Sequence, residues 1–393
     1  MDVPFDRDTV ARLLKWGWAG VTDALGAGPV HRRRLAAIDT RIVVSGVRGK
    51  SSATRWLHDV FHRRGNDVIA KITGDEPVTL YNGTERPVER DGQVRLYENE
   101  RELQRVSNAD VAVIENQGIR QYTTRLVNQS FVKPDVLFLI NVREDHMDTL
   151  GRTRTAIARS LARSVPAGTT VINGESDPQL RSYLTRELER RDAVVRHVDP
   201  PGWATEYPGC EVVFGLNEVL DAVGEPPLSP ADVDRKLASM APEWQVLPNG
   251  KVHDAAAVND VQSTEIVRRA LVGESGTVVE PLVNLRADRR GRTASFRRYL
   301  GALLADGHAG EIHALGDGRH AFANTADFPV RTYGEGAAPE SVLTDVLAAG
   351  NPVLVMGNTV TEFMRDIQAE IEARTIDREP AAITRQERAV SRQ

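Results

Sequence analysis

The sequence predicts an α/β protein with a central domain built on a mostly parallel sheet, followed by a smaller C-terminal α/β domain. Three observations predict it. From Arg41 onward short apolar runs alternate with amphipathic stretches, the pattern of strands joined by helical crossovers. A glycine-rich turn separates the first run from the first helix, and a Pro- and Gly-rich region between residues 200 and 250 interrupts the alternation before it resumes. At 393 residues there is room for two or three units, each with its own core.

Residues 1–40 read as a helical extension, with Val10, Leu13, Leu14, Trp16, Trp18 and Val21 apolar and a basic cluster at His31–Arg34. It either docks on the protein's own core or lies at an interface, since tryptophans followed by arginines suit a headgroup boundary. Its acids precede the apolar part, unlike a secretory signal. The first strand is Arg41–Ser45, and Lys50–Arg64 is a helix with Trp56, Leu57, Val60 and Phe61 on one side. Further strands are expected at Val68–Ile72, Val111–Ile114, Val136–Ile140 and Thr170–Ile172. The boundary is placed at 245, so that 41–245 form the central domain and 246–374 the second. Strands there fall near Val278–Leu285, Glu311–Leu315 and Pro352–Met356, with helices over Thr293–Leu304 and Pro339–Ala348. Residues 375–393 are polar and aperiodic, so a flexible tail is expected.

Composition narrows the function. With 50 basic and 55 acidic residues the net charge is −5, which argues against a nucleic-acid partner. No stretch approaches the roughly 18 to 20 apolar residues of a spanning helix. The one cysteine, Cys210, excludes an internal disulfide and reads as a packing residue.

The segment Ser45-Gly46-Val47-Arg48-Gly49-Lys50-Ser51-Ser52 places glycines at a strand-to-helix turn, then a lysine and two hydroxyls on the first helical turn. Burying a polyphosphate requires backbone N–H groups, a point cation and a divalent ion to replace its water. Gly46 and Gly49 admit close approach of the backbone, Lys50 meets the terminal phosphates and Ser51 ligates Mg²⁺. The strict phosphate-loop pattern has glycine where this chain has Val44, so the form present is the shorter G-x-x-G-K-S.

Two further strand ends deliver acids toward the same crevice, where ligands of open α/β sheets bind. Glu115 follows Val111–Ile114 and is the best protein ligand for a cation bridging nucleotide phosphates. Asn141, Glu144, Asp145, His146 and Asp148 follow Val136–Ile140. His146 either ligates a metal or orients an acid, and Asp145 and Asp148 either share in the site or cap the next helix. Arg286, Arg289, Arg290 and Arg292 follow Val278–Leu285, as solvated surface or as forks for carboxylates.

These residues resemble the ATP-dependent amide ligases of the Mur ligase superfamily and, within it, the ligase subunit of poly-γ-glutamate synthase. The similarity rests on Ser45–Ser52, on Asn141-Val-Arg-Glu-Asp-His-Met-Asp-Thr-Leu-Gly151, on Val258-Asn-Asp-Val-Gln-Ser-Thr264 and on Asn284-Leu-Arg-Ala-Asp-Arg289. Val355-Met-Gly-Asn358 adds a weaker block. The first block marks the superfamily; Glu-Asp-His-Met-Asp and Asn-x-Arg-Ala-Asp-Arg point to the capsule subgroup.

The resemblance implies a P-loop-containing central domain, a Rossmann-like C-terminal domain, and ATP and Mg²⁺ as cofactors. Lys50, Ser51 and Ser52 would hold ATP and Mg²⁺, and Glu115 and His146 would match the family's metal-site glutamate and histidine. Asn217 would match a nucleotide-contacting asparagine, and Asp260 an acid that reaches the ribose; the residues alone read Asp260 equally well as a helix cap. Arg286 and its neighbours would hold an anionic glutamate chain. Lys50, His146 and Arg286 would then serve an acyl-phosphate reaction that joins a carboxylate to an amine.

The chain departs from the superfamily in three places. Thr153–Val165 contains no lysine, so no carbamate-bridged second metal is expected there. Trp244 and Gln245 stand where an arginine often precedes the second domain. The loop begins too early for a separate UDP-binding domain. The resemblance also implies a cytoplasmic chain held at the membrane through a partner subunit, and leaves a homo-oligomer open. Two rivals remain: a nucleotide-binding module that regulates or energises a membrane partner, and another Mur- or folylpolyglutamate-type ligase.

Overall fold

The computed structural model describes residues 28–74, 77–89, 96–106, 109–117, 120–145, 147, 149–273 and 276–383. His146, Asp148 and the Trp16–Trp18 segment lie outside the described residues.

In the first half, helix α1 (Gly28–Ala36) leads into β1 (Thr40–Ser45) and α2 (Lys50–Arg63), followed by β2 (Val68–Ile72), β3 (Val78–Tyr81) and β4 (Thr84–Pro87). Then come α3 (Glu98–Gln104), β5 (Val111–Glu115), α4 (Gln121–Leu126), β6 (Val136–Leu139), α5 (Arg154–Ala162), β7 (Thr170–Asn173), α6 (Pro178–Glu189) and β8 (Val194–His197). Helices α7 (Cys210–Ala222) and α8 (Pro230–Met240) close this domain. Its eight strands run in the order β4-β3-β2-β5-β1-β6-β7-β8, with only the β2-β3-β4 edge antiparallel.

Strand β1 sits between β5 and β6, with Val44 level with Glu115 on one side and Phe138 on the other. The loops that leave these three strands therefore share one crevice. Alternation along β1 sends Ile42 and Val44 to the face covered by Leu57 and Phe61 of α2 and Val213 and Leu216 of α7, while Val43 packs with Ile157 and Leu184 on the other. The edge hairpin β3–β4 is missing from the strand expectations, although Asn82-Gly83, both at positive φ, is a hairpin turn signal.

The second half contains β9 (Glu243–Leu247), β10 (Gly250–Asp254), α9 (Val261–Val272), β11 (Glu280–Asn284), α10 (Arg290–Ala305), β12 (Ile312–Leu315) and α11 (Arg319–Thr325). It ends with β13 (Val330–Thr332), α12 (Pro339–Leu347), β14 (Val353–Met356), α13 (Glu362–Arg374) and β15 (Asp377–Pro380). The strand order is β13-β12-β11-β14-β10-β9-β15, parallel from β13 to β10 and antiparallel at the β10-β9-β15 edge.

Two boundaries differ from expectation. The Pro- and Gly-rich stretch Pro242–Gly250 is the first hairpin of the second sheet rather than a linker, so residues 243–245 belong to the C-terminal domain. Residues 377–380, expected in the tail, form the edge strand on β9, and Ala381 and Ile383 are buried behind it. An edge strand needs one partner and no apolar alternation, which is why Asp-Arg-Glu-Pro reads as coil.

Candidate active site

The turn after β1 is shaped by glycine where only glycine fits. Gly46 has φ +109° and Gly49 φ +83°. A Cβ on Gly46 would stand 2.9 Å from the Asn141 carbonyl oxygen, and one on Gly49 would stand 2.6 Å from Val212 Cγ2. Asn141, at the end of β6, clasps the loop: its carbonyl accepts from the Val47 amide at 3.2 Å and its Oδ1 from the Arg48 amide at 3.0 Å. Its Nδ2 donates to the Arg48 carbonyl at 3.3 Å and to Glu211 Oε1 at 3.0 Å.

Lys50 opens α2, with its Nζ 3.0 Å from the Val47 carbonyl. Burial pushes its ammonium below the ordinary lysine value, and the nearby Glu115 carboxylate opposes that shift. Glu115 ends β5 and is 4% exposed. Its Oε2 accepts from the Ser51 hydroxyl and from the Thr73 amide, each at 3.0 Å. Burial raises Glu115 above the usual carboxylate range, against the pull of Lys50 and these hydrogen bonds. A desolvated carboxylate beside a serine hydroxyl, at the foot of a lysine-bearing loop, offers two oxygen donors of the kind a hard divalent cation takes.

Beside the loop a cavity of ≈ 340 Å³ opens at the seam between the domains. Gly49, Ser52 and Arg143 line one end; Val212 and Met240 of the first domain and Val258, Ile266 and Val267 of the second form its walls. Arg143 is 6% exposed, reaches Glu211 Oε1 at 3.4 Å and leaves its buried Nε without a hydrogen-bond acceptor among the described residues. The apolar walls are of the kind that takes a flat ring, and Arg143 supplies a cation for an anionic group.

Asn217 and Arg286 are engaged away from the loop, and Asp260 is both a helix cap and a partner of the loop. Asn217 is well inside α7, away from the cavity, and its Oδ1 accepts from the Leu228 amide at 2.8 Å, so it fastens the α7–α8 connection. Asp260 is fully buried as the N-cap of α9, accepting from the Ser263 amide at 2.9 Å, while its other oxygen takes Arg48 Nε at 3.0 Å. Its cap reading is the one its geometry supports. Arg286 forms a two-bond pair with Asp288, at 2.8 and 2.7 Å, and holds that carboxyl below its usual range. The proposed row of free guanidinium forks is thus partly spent on the chain's own acids.

Sequence reasoning placed Asn141 at the crevice without giving it a role, and did not single out Arg48, Arg143 or Glu211. Asn141 had a legible signal, its place at the end of a strand beside β1. The others depend on contacts across the fold.

Three of the sequence blocks meet here, and the helix that follows the fourth packs against them. Residues 141–145, the start of α9 and the first half of α10 pack together: Ser295 Oγ donates to Glu144 Oε2 at 2.7 Å and the Glu144 amide to Gln262 Oε1 at 3.3 Å. The weaker block is a backbone clasp, since Asn284 Nδ2 reaches the Asn358 carbonyl at 2.8 Å and Asn358 Nδ2 the Asn284 carbonyl at 3.0 Å.

Comparison with known proteins agrees with the resemblance. Residues 248–376 match the family described as the poly-gamma-glutamate synthase CapB C-terminal domain. The chain is 23% identical over 337 residues to PGA synthase CapB of Bacillus subtilis (strain 168), covering 80% of this chain and 82% of that one. It is 26% identical over 182 residues to the capsule biosynthesis protein CapB of Bacillus anthracis, covering 45% and 39%. A bifunctional folylpolyglutamate synthase/dihydrofolate synthase from Yersinia pestis, complexed with AMPPNP and Mn ion, superposes with TM-score 0.60 at 16% identity over 88% of this chain and 93% of that one. MurF from Acinetobacter baumannii gives 0.58 at 14% identity, covering 88% and 79%. The fold is that of the Mur and folylpolyglutamate ligases.

Proposed function

We propose that this chain is an ATP-dependent acid–amino-acid ligase that extends poly-γ-glutamate. The observation that carries this reading is the Ser51 hydroxyl 3.0 Å from the buried Glu115 carboxylate, at the foot of the Lys50 loop and beside the interdomain seam. The similarity to proteins named PGA synthase and folylpolyglutamate synthase supports the choice of glutamate.

In this reading the backbone amides of the glycine turn and Lys50 cradle the β- and γ-phosphates of ATP. A substrate carboxylate oxygen attacks the γ-phosphorus and the bond to the β-phosphate bridging oxygen breaks, releasing ADP. The amine of the incoming amino acid then attacks the acyl carbon, loses a proton and expels phosphate, leaving an amide. Ser51 and Glu115 would hold Mg²⁺, which when bound neutralises charge developing on the phosphates. Lys50 and Arg143 supply fixed positive charge, and the second domain shields the acyl phosphate from water. Capsule formation, named for the Bacillus anthracis relative, is the process we infer, with a membrane subunit as partner and the chain acting at the cytoplasmic face. Among the described residues no helix is long and apolar enough to cross a membrane.

The test is a screen of amino acids and γ-glutamyl peptides for ADP release, with hydroxylamine to trap the activated acyl group. Glutamate-dependent ADP release and a trapped hydroxamate support the proposal. ADP release indifferent to every carboxylate favours a regulatory nucleotide module, and release with a folate favours the folylpolyglutamate-type rival.

A further inference from the structure

The phosphate loop is tied to the second domain by a chain of charges that the reaction scheme does not use. Arg48 Nη2 reaches Asp145 Oδ2 in the first domain and Arg48 Nε reaches Asp260 Oδ2 in the second, each at 3.0 Å. Asp145 Oδ1 is held from the second domain by Arg292 Nη2 at 2.7 Å, and Arg292 Nη1 lies 3.3 Å from Asn259 Oδ1. The signs alternate along Arg292–Asp145–Arg48–Asp260 and sum to zero, and the path crosses the domain seam twice. Side-chain exposures of 15%, 8%, 25% and 0% along it mean that water screens these charges poorly.

We propose that Arg48 is a positioning residue: by dividing one planar guanidinium between Asp145 and Asp260, it fixes the closed angle between the domains and seats the second domain over the phosphate loop. The geometry requires arginine. Its fork offers separate N–H vectors to two acids, whereas a lysine ammonium on a flexible stem is a point charge that holds no such fixed pair of directions. The seam walls Val258, Ile266 and Val267 belong to the elements that Asp260 joins, so a loosened tie admits water to the activated acyl group.

Part of this inference rests on the ligase reading, and its test separates the two. Spin labels on Ser182→Cys and Glu340→Cys, both exposed and one in each domain, report interdomain distance in the full chain without any turnover. Buried Cys210, whose thiol burial pushes up to about 12, does not compete for label. The proposal expects Arg48→Gln, Arg48→Lys and Arg292→Gln each to broaden and lengthen the distance distribution. In turnover it expects Arg48→Gln and Arg48→Lys to lower the ratio of amide formed to phosphate released about tenfold. An unchanged distance distribution in Arg48→Gln and Arg292→Gln overturns the tie. Rescue by Arg48→Lys of both distance and coupling ratio overturns the fork argument and leaves a simple charge role. If no acceptor supports amide formation the ligase reading fails, and the distance measurement still decides the tie.

Discussion

At the scale of single residues, Glu115 and Lys50 are the residues to which the proposed function assigns the chemistry, and they are the sharpest places to perturb it. Glu115 is raised by burial, so the folded state holds its proton more tightly than the unfolded chain does. The sign follows: from the ordinary carboxylate range up to the raised value, the folded state binds more protons, and stability falls as pH rises. Glu115→Gln is therefore expected to melt at or above the parent temperature at pH 7 without divalent cations, and to show a flatter melting-temperature profile between pH 4 and 7. It is also expected to lose the parent's Mg²⁺-dependent rise in melting temperature, with cation affinity falling by at least the roughly 10–100-fold that removal of supporting groups costs. Scanning calorimetry across pH, with and without Mg²⁺, reads both. A Glu115→Gln variant that still gains stability from Mg²⁺ would place the cation elsewhere. Lys50→Ala is expected to lower kcat by about 10²–10³, the usual cost of losing one fixed charge-stabilising group; steady-state ADP release measures it.

Elements are where the sequence was most and least readable. The strands bracketing the site were legible because buried parallel strands are short apolar runs bounded by polar residues, as Val111–Glu115 and Val136–Leu139 show. The glycine turn was legible because positive φ and close packing demand glycine. Its partners were not: Arg48 and Asp260 lie 212 residues apart, and nothing local marks them as a pair. Asn217 is a plausible residue type whose Oδ1 the fold engages in holding the Leu228 backbone, a contact no local pattern announces. Asn217→Ala is expected to destabilise the first domain by about 1–3 kcal/mol, the cost of an unmatched polar group, with the KM for ATP unchanged; a rise in that KM with stability intact would return Asn217 to the nucleotide site. Gly49→Ala is expected to cost about 1–3 kcal/mol through its left-handed backbone, beyond the 2.6 Å approach to Val212, as read by urea unfolding.

At the scale of the whole molecule, the site exists only where two sheets face each other. Three of the blocks that carried the family resemblance, spread from residue 45 to residue 264, converge on one seam, and the closure contacts between them leave no local mark in the sequence. In the proposed function a nucleotide bound across that seam would stabilise both domains together: at 100 times its Kd the gain is about 2.7 kcal/mol. Calorimetry is expected to show one cooperative transition moving upward with ATP and Mg²⁺, and Lys50→Ala is expected to abolish the move. The central claim is that the loop ending at Lys50 transfers a phosphoryl group to a carboxylate. The measurement that tests it most directly supplies γ-glutamyl substrate with both carboxylate oxygens labelled as ¹⁸O and examines the released phosphate by mass spectrometry. One labelled oxygen per phosphate, carried over from the carboxylate through the acyl phosphate, is the expected result; phosphate whose added oxygen comes only from water would contradict the account.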